Sequence, residues 1–259
     1  MKSTKKKKKK HYIIKQIKQQ EIQALKRAAK YRREFLGNVS HELKTPIFNI
    51  QGYVHTLLDG ALKDDNVNIK YLQRTSKSID RLIAIIDDLD SISRLESDEL
   101  KLEKTSWNIL ELISEIFDTF EVKSEKKNIE LILPKRKKPI MVYADRNQIN
   151  QVLYNLISNS IKYGREGGFV KGIIKNNETH IILTIKDNGI GIEKQNIPRL
   201  FERFYRVDKG RSRDEGGTGL GLAIVKNILE VHEENISVES EKNKGTKFNF
   251  SIKKTTINE

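Results

Sequence analysis

A histidine stands directly before a glutamate in the stretch NVSHELKTP, residues 38–46, which closes on Thr45 and Pro46. Neutral imidazole is a nucleophile that titrates near physiological pH, and an adjacent carboxylate can take its proton. Such a pair also arises by chance on solvated helix faces, so the rest of the chain must decide its meaning. The segment NQVLYNLISNSIKYG places Asn155, Asn159 and Lys162 (or Tyr163) on one face of a helix. Two carboxamides, an ammonium and a ring suit a metal-bound polyphosphate and its base, but alone they also describe an ordinary polar face. In KDNGIGI, residues 186–192, a strand ends in Asp187 with Gly189 and Gly191 after it. A carboxylate there can accept from an exocyclic amine, and glycines permit close backbone approach. In GGTGLGLAIV, residues 216–225, a glycine-rich loop runs into an apolar helix, and free amides at a helix start bind phosphate. It is neither a Walker loop, lacking Gly-Lys-Ser/Thr, nor a Rossmann turn, since no strand leads directly into it. The aromatics of LFERFYR, residues 200–206, suit a core equally well.

These groups need a scaffold. Leu36, Ser40, Leu43, Ile47, Ile50, Val54, Leu57 and Ala61 alternate four- and three-residue spacings, the seam of a coiled coil or bundle. Leu72, Ile79 and Ile86 repeat it less strictly, with Leu82 and Leu89 beside them, and DGALKDDNVN between the two runs carries the turn signals of a helical hairpin. One hairpin cannot bury two seams, so a dimer forming a four-helix bundle is the economical solution. His41, about 100° around the helix from Ser40, then faces away from the seam, with Thr45 one turn along. Pro46 withholds the amide that would bond the Glu42 carbonyl and loosens the helix there. His55 shares the register but is followed by Thr56, so it serves as an internal control. After about residue 97 helical patterns (107–126, 146–163, 219–233) alternate with β-branched runs such as NIELIL, HIILTIKD, NISVES and TKFNFSI, which predicts a mixed α/β domain with a largely antiparallel sheet.

Of the net charge of +14, residues 1–33 hold fourteen Lys and Arg against Glu21 alone, so the other 226 residues are nearly neutral. Whole-chain charge therefore says nothing about nucleic-acid binding by the body. The run Lys5–Lys10 is expected to be disordered by self-repulsion; it could touch anionic lipid or nucleic acid, and the plainer reading, a solubilising tail, is favoured over that. The absence of cysteine excludes disulfides, thiolate metal sites and cysteine nucleophiles. No apolar run reaches the roughly 18 residues of a membrane span.

In this order and at these intervals, the segments resemble sensor histidine kinases of two-component systems over residues 34–252. FLGNVSHELKTP is similar to their H box, NLISNSIKY to the N box, DNGIGI to the first G box, FERFYR to the F box and GTGLGL to the second G box. KGTKFNF is similar to the strand that completes their nucleotide site. Ser160 departs from the usual alanine, and Phe48 and Asn49 from small or aliphatic residues; none of these positions is expected to carry chemistry. The resemblance implies an α helical hairpin forming a dimeric four-helix bundle, then an α/β two-layer sandwich of the Bergerat type shared with Hsp90, gyrase and MutL proteins. It divides the chain into a basic tail and signalling helix (1–33), a dimerisation and phosphotransfer domain (34–97), an ATP-binding domain (98–254) and a C-terminal tail (255–259).

The resemblance also implies roles. His41 accepts the phosphoryl group, Glu42 handles a ring proton, and Thr45 positions water for a phosphatase reaction. Asn159 holds Mg²⁺, Asn155 and Lys162 contact the phosphates of ATP, and Tyr163 packs near the adenosine. Asp187 accepts the adenine amine beside Gly189 and Gly191, and Arg206 on a mobile lid faces the γ-phosphate. Gly217, Thr218, Gly219, Leu220 and Gly221 close on the phosphate chain, and Thr246 belongs to the completing strand. The implied partners are a second copy and the receiver domain of a response regulator. Specific nucleic-acid binding is not expected, and membrane contact is expected only through a segment missing from the chain or weakly through the lysine-rich tail. The expected location is cytoplasmic, either as the inner portion of a membrane sensor or as a kinase lacking one. The related ATPases offer a rival function, ATP-driven clamping, but they lack a histidine-bearing hairpin ahead of the ATPase domain, so residues 36–95 favour the kinase.

Overall fold

The computed structural model describes residues 2–96, 101–134, 138–207 and 217–255. The expected boundary at 97/98 and most of the C-terminal tail lie outside them. The chain divides into two compact units, Met1–Leu82 and Ile83–Glu259.

The first unit is built on α1 (Lys2–Leu58) and the start of α2 (Asn68–Glu96), joined by a 3₁₀ turn at Ala61–Lys63. The lysine run expected to be disordered is helical backbone within α1; lysine is itself a good helix former, which offsets the repulsion. Pro46 is buried and α1 continues through it. Gly60, at φ 125°, ends the helix, so Ala61, the last member of the sequence heptad, falls in the turn instead. Tyr53 and Tyr71 pack across the hairpin with ring centroids 5.8 Å apart, and the Arg74 guanidinium lies 5.9 and 5.7 Å from them. Within this unit the covered stripe of α2 runs through Tyr71, Thr75, Ser78 and Leu82, the last of them one of the residues expected beside the seam. Leu72, Ile79 and Ile86 stay exposed, because a hairpin has only one partner helix with which to cover them.

In the second unit β1 (Lys104–Asn108) and β3 (Met141–Asp145) form a small antiparallel ladder pairing Lys104 with Asp145. Trp107 is buried in it and donates its indole N–H to the Ala144 carbonyl at 2.9 Å. The main sheet has the order β2 (Glu130–Ile132), β4 (Phe169–Asn176), β5 (His180–Asp187), β7 (Gly245–Lys253), β6 (Ile236–Glu241). Only β2–β4 is parallel among these pairings, which meets the expectation of a largely antiparallel sheet. Against it pack α3 (Ile109–Glu125), α4 (Arg146–Lys162) and α5 (Gly221–Val231). Ile181, Leu183 and Ile185 alternate along β5 and share one apolar cluster with Leu153, Ile157 and Ile228, the two-residue period of a sheet with one covered face. Asn108 and Asp145 cap the starts of α3 and α4, the latter accepting from the Asn147 and Gln148 amides at 3.0 and 3.1 Å. The architecture is thus a helical region followed by a mixed α/β unit. Among the described residues no helix is long and apolar enough to cross a membrane.

Candidate active site

His41 is exposed on α1, and Glu42 beside it is half-buried. The Arg81 guanidinium on α2 donates to Glu42 Oε2 at 2.8 Å. Thr45 Oγ1 donates to the His41 carbonyl at 3.3 Å, the back-bonding that a hydroxyl makes on a helix. His55 is exposed as well, so exposure alone does not distinguish the two histidines.

In the second unit Asp187, at the end of β5, is the centre of a cluster. Its Oδ1 accepts the Gly189 amide at 2.9 Å and the Thr246 amide at 3.1 Å, and its Oδ2 accepts the Ser160 hydroxyl at 3.1 Å. Burial pushes the carboxyl up, while these three donors pull it down. Ser160 was not expected to matter. The signal was its departure from alanine one residue after Asn159, and the hydroxyl is satisfied by the carboxylate it faces.

The end of α4 is tied to the same loop. The Ile190 amide donates to the Tyr163 carbonyl at 3.1 Å, and a Cβ at Gly189 would lie only 2.4 Å from that oxygen. Any side chain at residue 189 would push the loop off the helix end. Lys162 Nζ stands 5.0 Å from the Tyr163 ring centroid and 2.6 Å from where a Cβ of Gly217 would be. Asn155 Oδ1 lies 3.0 Å from the corresponding point at Gly221. The polar face of α4 and the glycine-rich loop therefore converge, leaving a cradle that side chains on the loop would fill. Gly219 accepts the Phe204 amide at 2.9 Å, which ties the aromatic segment to that loop, and Arg206 is half-buried nearby in sequence. Leu220 is buried, and Gly191 follows the Asp187 turn at φ 65°. Thr218 turns instead toward Asp88 on α2, donating at 2.6 Å, a partner with no signal in the glycine motif. Asn159 is half-buried on α4, and its carbonyl accepts the Tyr163 amide. A ring, an ammonium, carboxamides and a glycine cradle around a buried carboxylate suit a purine nucleotide polyphosphate.

Comparison with known proteins bears on this directly. Residues 144–256 match the family model described as histidine kinase-, DNA gyrase B-, and HSP90-like ATPase, and residues 31–98 match the His Kinase A (phospho-acceptor) domain. The solved catalytic domain of the histidine kinase ThkA is 34% identical, covering 59% of this chain and 97% of its own, with a TM-score of 0.53. The chain belongs to the sensor histidine kinases. Its α/β unit is accordingly an ATP-binding domain. The sensor histidine kinase WalK of Bacillus subtilis (strain 168) is 39% identical over 223 residues, 85% of this chain and 36% of the relative. The kinase chain thus spans about a third of that relative's length. A structure of ThkA in complex with the response regulator protein TrrA is 29% identical and covers 86% of this chain and 61% of its own, with a TM-score of 0.70.

Proposed function

We propose that this histidine kinase transfers the γ-phosphoryl group of Mg²⁺-ATP to its own His41 and passes it to an aspartate in the receiver domain of a response regulator. The observation that carries the reading is an exposed His41 beside a carboxylate, in one chain with the nucleotide cluster around Asp187. One imidazole nitrogen attacks phosphorus as the bond to the ADP oxygen breaks, and Glu42 takes the proton from the ring. Asp187 Oδ2, with one donor from Ser160, keeps a lone pair for the adenine amine. Asn155 and Lys162 hold the phosphates, Tyr163 packs on the adenosine, and Arg206 stabilises charge at the γ-phosphate. Asn159 would hold Mg²⁺, which would supply charge neutralisation at the phosphates. The amides from Gly217 to Gly221 close on the phosphate chain, and Thr246 and Gly191 support the Asp187 turn.

The kinase works as a homodimer through its helical hairpin, and Thr45 positions water for dephosphorylating the regulator. We divide it at 33/34, 97/98 and 254/255, and locate it in the cytoplasm, where ATP and the regulator meet. The ThkA–TrrA complex supports a regulator as partner. Membrane contact, where it occurs, comes from the lysine-rich tail or from a segment outside this chain.

Incubation with Mg²⁺-ATP is expected to place an acid-labile, base-stable phosphoramidate on His41 and nothing on His55. His41→Gln binds ATP yet stays unlabelled, and His55→Gln labels normally. Acid-stable label, or label that survives in His41→Gln, overturns the reading.

A further inference from the structure

We propose that Arg81 is a positioning residue for autophosphorylation, holding the Glu42 carboxylate in the orientation that receives the His41 proton. The inference deepens the proposed function and rests on its assignment of Glu42 as the base. The pair spans 39 residues of sequence and joins the two helices of the hairpin, with Nη2 to Oε2 at 2.8 Å. Both side chains are largely covered, at 15% exposure for Arg81 and 23% for Glu42. Lys30–Glu34 on the same α1 is exposed by comparison, at 77% and 61%, and belongs to the class of ion pairs that contribute little.

Adjacent residues on a helix diverge by about 100°. A glutamate next to the acceptor histidine is therefore not aimed at it by the backbone, and a free one would sample many rotamers. The guanidinium presents donors in a rigid fork and cannot lose its charge. Bonded to Oε2, it restrains the carboxylate, and in the proposed reaction Oε1 is the oxygen that meets the ring. Covering the pair also shields it from salt screening. The same bond pins the hairpin, so the test must separate orientation from stability.

The test is a double-mutant cycle in the full chain, with labelling rates taken at saturating Mg²⁺-ATP and dimerisation checked by sedimentation. Arg81→Met is expected to slow labelling of His41 by about tenfold or more, as misplacement of a reacting group does, with KM for ATP unchanged. In the Glu42→Gln background the same substitution is expected to change the rate by no more than about twofold, because its route of action is gone. Arg81→Lys, which keeps the charge without the fork, recovers part of the rate. Equal slowing in both backgrounds, a lysine variant as slow as methionine, or a faster Arg81→Met overturns the proposal; the last would mean that Arg81 sequesters the base. If Arg81→Met loses its dimer, Arg81→Lys in the two backgrounds decides by the same criterion. An unaltered chain that never labels His41 removes the proposed function and this inference with it, whereas a labelling chain indifferent to Arg81 removes only the inference.

Discussion

The Thr218 hydroxyl donates to Asp88 Oδ2 across 2.6 Å and accepts the Leu220 amide at 3.1 Å. One side chain thus joins the glycine-rich loop ahead of α5 to α2, within the second unit. Burial pushes the Asp88 carboxyl up, the Thr218 bond pulls it down, and neighbouring Asp87 raises it again. When ionised, Asp88 places a negative charge beside a loop whose glycines and helix start suit phosphate.

Removing that charge is expected to favour the nucleotide. Asp88→Asn keeps an oxygen for Thr218 and lowers the dissociation constant for Mg²⁺-ATP by about fivefold at pH 8, roughly 1 kcal/mol. Titration calorimetry measures it. Weaker binding would show that the carboxylate organises the loop and does not oppose the phosphates.

At Asp187 the sign is opposite. Asp187→Asn presents an amide to the adenine amine and weakens ATP binding by about 1.5–3 kcal/mol, the scale of a hydrogen bond to a charged group. Ser160→Ala acts through protonation. It removes a donor that favours the ionised carboxylate, so the already raised Asp187 rises further. Affinity for ATP in this variant is expected to fall at a higher pH than in the unaltered chain as the solution is acidified. Overlapping affinity profiles would contradict the role given to Ser160.

His232 predicts an acid sensitivity of the fold. Its ring is buried, Nδ1 bonds the Ile228 carbonyl at 2.8 Å, and Nε2 accepts the Asp145 amide at 3.2 Å. Burial lowers its pKa, as does Lys104, while the Ile228 bond, Asp145 and Glu234 oppose the shift. Because the folded form resists the proton that an unfolded histidine takes near pH 6.5, this stability is present above that pH. It is lost as pH falls toward the lowered folded value, at up to about 1.4 kcal/mol per pH unit. His232→Gln can still accept the Asp145 amide through its carbonyl. Calorimetric melting between pH 7 and 5 should fall less steeply in this variant. Parallel slopes would assign the acid response to other groups.

The exposed apolar residues of α2 test the dimer. The 30.0 kDa chain is expected to sediment as a dimer, and the double substitution Leu72→Glu with Ile79→Glu to give a monomer, since it charges the face the hairpin leaves uncovered. A dimer that survives both charges would move the interface elsewhere.

The motifs of the candidate nucleotide site stand out in the sequence because each keeps its residues within a few positions: Asp187 with Gly189, Asn155 with Asn159, Gly217 through Gly221. The long helices and most of the main sheet were legible from period and turn chemistry. What escaped depends on partners distant in sequence. Ser160 meets Asp187 across 27 residues, Arg81 meets Glu42 across 39, and Thr218 meets Asp88 across 130. None of these pairs leaves a local pattern. The strands β1 and β3 are short and half-polar, while β4 carries Gly172 in its interior, so their alternation was weak. On α2 Leu82 is covered while Leu72, Ile79 and Ile86 are exposed, because a heptad records every neighbour in an assembly, whereas one hairpin supplies only one side.

Trp107 has a practical consequence of its own. It is the chain's single tryptophan, and it sits buried in the β1–β3 ladder of the second unit with its indole N–H engaged. Tryptophan emission, excited selectively over tyrosine, therefore watches the nucleotide-binding half alone, while far-ultraviolet ellipticity is weighted toward the long helices α1 and α2. The chain carries two optical channels without any dye, and a denaturant series recorded on both would separate the melting of the two halves in a single sample.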